Sequence, residues 1–377
     1  MKMLWRIVFL LLMCPTLADA SERAFVSHTN YVVDPSFSHT IDNMPRIQSQ
    51  GTVGNCFACA AATVAQKFAC DTDEGIIAKG WRCDQIPADR MISQLAMIAW
   101  ADVNDRTVGA QLAGLPSNHT NLRLYDTVTD YSSGSNALKN ASDLFDFIPE
   151  SCYPFERLLA IYKSDETGTG PIFEPVYYKH QAMYLKNRSA RIDSVPCEEC
   201  RRELSEDINM DVSVETFKFA LTKKTYGEFL YSVFFRKCKR AAFSTAPKFV
   251  QFPAGQLEKY PKEKVFEKLV EVVGKNHPVL ISGLCLKFDA DTKKCSNSHA
   301  VVVSGYRRIC PTSDLTNNSC KTQLKVHNCW GQNWQAKQDD GWVNSDTFIA
   351  SIDEGSDAIP VASLSWLERL GKRNEPK

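Results

Sequence analysis

The sequence has no excess of charge of either sign. Its 44 lysines and arginines are matched by 44 aspartates and glutamates, for a formal net charge of +0. That balance speaks against nucleic acid or an anionic membrane surface as the main partner, since both are held by concentrated positive charge. Long apolar runs are also lacking. The run near the N-terminus, Ile7 to Met13, falls far short of the ~20 residues a spanning helix needs, so no membrane span is expected. There is no internal repeat and no low-complexity tract, which leaves an ordinary globular chain. The Cys197-Glu-Glu-Cys200 pair has no second CxxC near it in the sequence and no histidine close by. A metal centre is therefore not expected, and no cofactor is expected either.

What is present begins with a leader. Lys2 and Arg6, the short apolar run, Pro15 and Ala18-Asp19-Ala20 read as a signal peptide over 1–20, cleaved before Ser21. The product would be secreted, or delivered to a periplasm or lumen. Of the 14 cysteines, 13 (14 − 1) remain once Cys14 leaves with the leader. An odd number in an oxidising compartment points to one free thiol. Cys285 with Cys295, Cys310 with Cys320 and Cys70 with Cys83 read as staples across local turns. Cys59, Cys152, Cys197, Cys200, Cys238 and Cys329 are left without assigned partners.

The apolar spacing divides the chain into parts. Short strands are expected at 31–33 and 37–41, then helices at 56–68, 88–103 and 136–148, the last stopped by Pro149. Residues 21–155 thus form an N-terminal segment and a helical lobe. Residues 156–247 are charged, with helical runs such as 214–240 and no catalytic motif, and read as an inserted, mainly helical subdomain. A helix at 263–273 follows, then strands at 278–286, 299–306, 323–330 and 341–348 joined by short linkers. Short linkers between strands are antiparallel hairpin grammar. This gives a β lobe over 248–365 and a frayed tail over 366–377. The fold class is α+β, two-lobed, and the chain is expected to be a monomer.

The chemistry centres on Gln50-Gly51-Thr52-Val53-Gly54-Asn55-Cys56-Phe57-Ala58. This is a polar loop that delivers a cysteine onto the first turn of a small-residue helix. Unpaired N–H groups and the positive end of the helix dipole favour a thiolate there. A thiol nucleophile also needs a base, a group to orient that base, and donors for an oxyanion. His299 opens the apolar strand Ser298-His299-Ala300-Val301-Val302-Val303, and Asn328-Cys329-Trp330-Gly331 closes the next. Each motif alone has a structural explanation. Together they read as nucleophile, base and orienter.

Gln50 six residues before Cys56, His299 followed later by Gly305-Tyr306, and Asn328-x-Trp330-Gly331-x-x-Trp334 resemble the papain-like (C1) cysteine peptidases. Gly341-Trp342-Val343 and Pro149-Glu150-Ser151-Cys152-Tyr153-Pro154-Phe155 are similar to further segments of that family. The resemblance implies a papain-like fold and a thiol endopeptidase that hydrolyses peptide or protein substrates. It makes Cys56 the nucleophile, His299 its imidazole partner and Asn328 the orienter. Gln50 and the Cys56 N–H would form the oxyanion hole. Trp330 would shield the Asn328–His299 bond, with Ser298 and Ala300 flanking a substrate pocket.

The sequence departs from the pattern in four places. Val53 stands where a disulfide cysteine is usual, and Phe57 where Trp is usual. The glycine-rich substrate-binding segment is reduced to Gly134. His299 lies 243 residues after Cys56 (299 − 56), against roughly 130–150 in the family, and the 156–247 insertion accounts for most of that excess. Between the expected cleavage point and Gln50 lie only about 30 residues, fewer than the long inhibitory segment of many papain-like peptidases. The insertion is therefore expected to cover part of the cleft.

Overall fold

The computed structural model describes residues 31–51, 55–101, 134–163, 173–188, 197–224, 226–253, 260–289, 294–312, 319–353 and 363–370. The signal peptide, Val53 and the end of the chain lie outside the described residues.

The helical lobe is built around α1 (Cys56–Thr72). Its alanine-rich sequence has high helix propensity and little bulk, so neighbours can approach from several sides. Ala58, Cys59, Ala60, Ala61, Ala65 and Ala69 are all buried. After the short α2 (Glu74–Ala78), α3 (Gln94–Ala101) and α4 (Gly134–Leu144) pack against α1. The α1 side chains also hold the connections: Gln66 Oε1 accepts the Ile92 N–H at 2.7 Å. The helix expected from residue 88 begins only at Gln94, where Ser93 Oγ accepts the Ala96 N–H at 3.3 Å. The one expected to reach 148 ends at Leu144, because Phe145 turns to φ 55° and enters β2 (Asp146–Phe147).

The insertion contributes α5 (Phe155–Lys163), α6 (Phe173–Asn187), α7 (Glu198–Asp207), α8 (Val214–Leu221) and α9 (Tyr226–Phe235). The single run expected over 214–240 is thus two helices. Leu204, Ile208, Phe217, Phe229 and Phe234 share one apolar cluster with Ala61, Leu95 and Leu138. These helices are an outer layer of the helical lobe with a common core. Tyr153 ties them in, its ring 4.6 Å from that of Phe234 and its hydroxyl donating to Ile208 O at 2.7 Å. Phe243, next to β3 (Ala241–Ala242), packs on Phe68 and Phe147.

The β lobe holds a seven-stranded antiparallel sheet in the order β4-β9-β5-β6-β7-β8, with β1 (Tyr31–Thr40) also paired to β6. The others are β4 (Pro247–Phe252), β5 (Val279–Asp289), β6 (Lys294–Pro311), β7 (Lys321–His327), β8 (Trp342–Asn344) and β9 (Ser363–Arg369). Alternation along β6 separates two cores, as a period-2 strand must. Val301 and Val303 join Ile281, Leu324 and Trp366 beneath α10 (Lys262–Gly274) and, after the short α11 (Gln332–Lys337), α12 (Ser345–Asp353). Ala300 and Val302 face the helical lobe with Leu280 and Leu367. The sheet is the wall between the two halves.

Three boundaries differ from expectation. β1 lies in the stretch 21–155, expected to form an N-terminal segment and the helical lobe, and pairs with the far half of β6, where β5 no longer covers that edge. The last expected strand is only β8, because Asn344 Oδ1 accepts the Thr347 N–H at 2.9 Å and starts α12. The expected frayed tail includes Trp366 and Leu367, which β9 buries between β4 and β5.

Glu150 is buried beneath this scaffold and joins two helix starts, accepting the Phe155 N–H at 2.6 Å and the Gln94 N–H at 3.3 Å. Burial pushes its carboxyl pKa up to about 7, against those hydrogen bonds, that of Ser93 and the charge of Arg46. The folded state then holds the proton more tightly than the unfolded chain. Its contribution to stability is fullest below the unfolded carboxylate pKa of about 4.3 and is lost as pH rises through about 7. His299 and His327, pushed down to about 4 by burial, work in the opposite sense. Glu150→Gln isolates the carboxyl. The wild-type Tm minus the variant Tm should fall between pH 4.5 and 7.5 in thermal melts; a constant difference would contradict this assignment.

Candidate active site

Cys56 is the first residue of α1, follows Asn55 at the N-cap position, and is 3% exposed. Its sulfur faces β6, because the Ala300 N–H, one residue past His299, bonds to it. The N–H groups of Phe57 and of Cys56 itself also point at the sulfur. The fold thus brings together a helix start and the interior of β6, which begins at Lys294 and not at the expected His299, from 243 residues apart (299 − 56).

His299 Nε2 and Asn328 Oδ1 are 2.9 Å apart and both residues are buried. With Oδ1 accepting, Nε2 carries the proton and Nδ1 is the nitrogen left to act as a base. The Trp330 ring lies on the imidazole, centroids 4.7 Å apart at 33°. Trp334 meets Trp330 edge-on at 6.1 Å. An aromatic cover of this kind keeps water from competing for the His299–Asn328 bond.

Cys329 connects these pieces. Its sulfur is bonded to Cys59, three residues into α1, and its carbonyl accepts the Gln50 N–H at 2.8 Å. Ser49 and Trp330 form a further antiparallel bridge. One residue therefore ties the nucleophile helix, the Gln50 loop and the strand end that carries Asn328. Gly51 extends the support: it sits at φ +60°, and a Cβ there would lie 2.9 Å from Leu159 of α5. The first helix of the insertion is packed directly behind the Gln50 loop.

The electrostatics differ from what a helix start alone suggests. Burial pushes the Cys56 thiol up to about 11, outweighing the N–H groups of Ala300, Phe57 and Cys56. Burial also pushes His299 down to about 4, against its bond to Asn328. Taken one at a time, both groups are neutral. Only transfer of the proton from sulfur to imidazole makes two charges that compensate each other.

Of the remaining expected residues, Ser298 and Ala300 are buried opposite Cys285 and Ser282 of β5. Gly134 opens α4 in close packing: an added Cβ would lie 2.9 Å from Phe57 O and 3.1 Å from Leu280. Its side is occupied by α1 and β5. Sequence reading passed over His327, buried next to Asn328 and bonded to the backbone of Arg46. It also passed over Asn55, fully buried beside the nucleophile with neither side-chain polar atom paired. Neither carries a motif that would mark it.

The disulfides answer what the sequence left open. Cys70–Cys83 and Cys310–Cys320 form as expected, Cys197 and Cys200 are joined to each other, and Cys285 is also bridged. Among the described residues no cluster of metal-ligating side chains occurs, and no helix is long and apolar enough to cross a membrane.

No family model and no curated protein matches the chain. Among solved structures it is similar to SERA5E from Plasmodium falciparum, at 13% identity, TM-score 0.37, covering 87% of this chain and 91% of that one. It is also similar to a recombinant stem bromelain precursor, at 11% identity, TM-score 0.38, covering 92% of this chain and 74% of that one. Likeness at this level assigns neither a family nor an activity.

The Cys59–Cys329 bond closes a loop of 270 residues, against 13 for Cys70–Cys83. In the chain-entropy account a longer loop gives the larger effect, within a range of about 2–5 kcal/mol. Cys59→Ala/Cys329→Ala should therefore lower denaturant stability more than Cys70→Ala/Cys83→Ala. The reverse order in urea unfolding would deny the first bond its proposed bracing role.

Proposed function

We propose that the chain is a papain-like cysteine endopeptidase that hydrolyses peptide bonds through an acyl-enzyme on Cys56. The observation that carries this reading is the His299–Asn328 bond under Trp330, set beside a thiol at a helix start. The Cys56 proton passes to His299 Nδ1 as sulfur attacks the substrate carbonyl carbon. The Cys56 N–H and the Gln50 side-chain amide receive the oxyanion. Collapse of the tetrahedral species breaks the C–N bond, and His299 gives its proton to the departing amine. Water, deprotonated by His299, then releases the acid and restores the thiol. Asn328 keeps Nε2 protonated throughout. Ser298, Ala300 and Trp330 border the substrate. Gly134, packed against Phe57, serves by setting the position of α1.

The disulfides support an oxidising compartment, as a secreted, periplasmic or lumenal protein has. A second reading, a catalytically inactive scaffold that binds peptides or a partner, draws on the depth at which Cys56 and His299 are buried. Burial of both groups raises the energy of the charged pair.

Two measurements separate these readings. Cys56→Ala should abolish peptide hydrolysis while leaving the melting curve in place; activity retained in that variant would end the proposal. Gln50→Ala should lower kcat by roughly 10²–10³ as an oxyanion donor. An unchanged kcat would remove Gln50 from the site.

A further inference from the structure

Two thiols lie outside this chemistry. Cys152 ends the helical turn Glu150–Cys152 in the helical lobe, and Cys238 follows α9, the last helix of the insertion. Both are free, both are half-buried, and their side chains interact with each other; the Cys238 thiol also donates to Phe234 O at 3.6 Å, beside the ring that Tyr153 stacks on. The backbone on both sides is already held without a covalent bond. Tyr153 stacks on Phe234 and donates to Ile208 O, and the Cys238 N–H donates to Phe235 O at 3.0 Å. Packing alone therefore keeps two sulfurs in contact at the seam between the lobe and its outer helices. The cysteine tally points the same way. Besides this pair, Cys56 is the other free thiol among the described residues, whereas the odd number of cysteines calls for one.

We propose that Cys152 and Cys238 are an oxidisable pair that closes into a disulfide, fastening the insertion to the nucleophile lobe and leaving Cys56 as the single free thiol. The oxidant is a small-molecule disulfide of the glutathione type. Both sulfurs are partly exposed and either can open the exchange, with Cys152 taken as the attacker. Its attack forms a mixed disulfide and expels one small thiol. The Cys238 sulfur then attacks the Cys152 sulfur and expels the second. Two protein S–H groups lose two protons and two electrons, and the oxidant is reduced to two thiols. The sulfurs move from contact to the ~2.05 Å of an S–S bond. The closed loop spans 86 residues (238 − 152) and encloses α5 to α9.

The test counts sulfurs and is independent of hydrolysis. The chain beginning at Ser21 is treated with oxidised glutathione, unfolded in denaturant, alkylated with iodoacetamide, digested without reductant and analysed by mass spectrometry. One alkylated cysteine, Cys56, and a linked peptide pair holding Cys152 and Cys238 are expected. Alkylation of both Cys152 and Cys238, or a separate glutathione adduct on each, would overturn the proposal. In Cys152→Ser the Cys238 thiol must become available, to iodoacetamide or as a glutathione adduct; a Cys238 found linked to another protein cysteine would equally defeat it. The fastening role has its own readout. Limited proteolysis within 156–240 should be several-fold slower in the oxidised chain than in Cys152→Ser/Cys238→Ser, and equal rates would refute that role.

Discussion

The anchoring of one strand end to one helix start supports everything else at the site. Cys329 makes this anchor through a disulfide to Cys59 and a backbone bond to Gln50, with Asn328 and Trp330 as its immediate neighbours. Without it, three segments distant in sequence would have to hold their places by packing of small residues alone. Alanine surfaces bury little apolar area per residue, so a covalent tie at this point has a physical purpose. Val53 leaves the preceding loop without the bridge that the resemblance implies. Cys59–Cys329 fastens the helix that begins at Cys56.

Dryness governs the chemistry of this anchor. The seal that protects the His299–Asn328 bond also raises the Cys56 pKa and lowers that of His299. A sealed site of this kind favours the neutral thiol and neutral imidazole until a proton moves between them. The backbone N–H groups at the start of α1 and at Ala300 are fixed dipoles that reduce the cost of that move. The burial that protects the His299–Asn328 bond therefore opposes charge on the same residues.

The outer helices were the least legible part of the sequence. Their charged faces and lack of motifs suggested a separate unit, yet Phe217, Phe229 and Phe234 belong to the core that holds Ala61. Leu159 behind Gly51 places the first of these helices against the Gln50 loop, as a support from behind. Periodicity locates an apolar face but does not name the surface it will meet. For the same reason β9 went unseen. Its run Ser363-Leu364-Ser365-Trp366-Leu367 is short and semi-polar, and only a vacant position between β4 and β5 makes it a strand.

The sequence by itself determined the local elements and the chemistry they carry. The alanine run dictates α1, Cys56 stands at its start, and the valines after His299 dictate β6, all through propensity and spacing that act over a few residues. The order of Gln50, Cys56, His299 and Asn328 was equally readable. Tertiary structure alone decided which groups meet. It paired Cys59 with Cys329, oriented His299 through Asn328, and sent β1 across to the far half of β6. It also reversed the electrostatic expectation for Cys56. A helix dipole can be read from the chain, but the loss of solvent around a sulfur depends on everything packed over it.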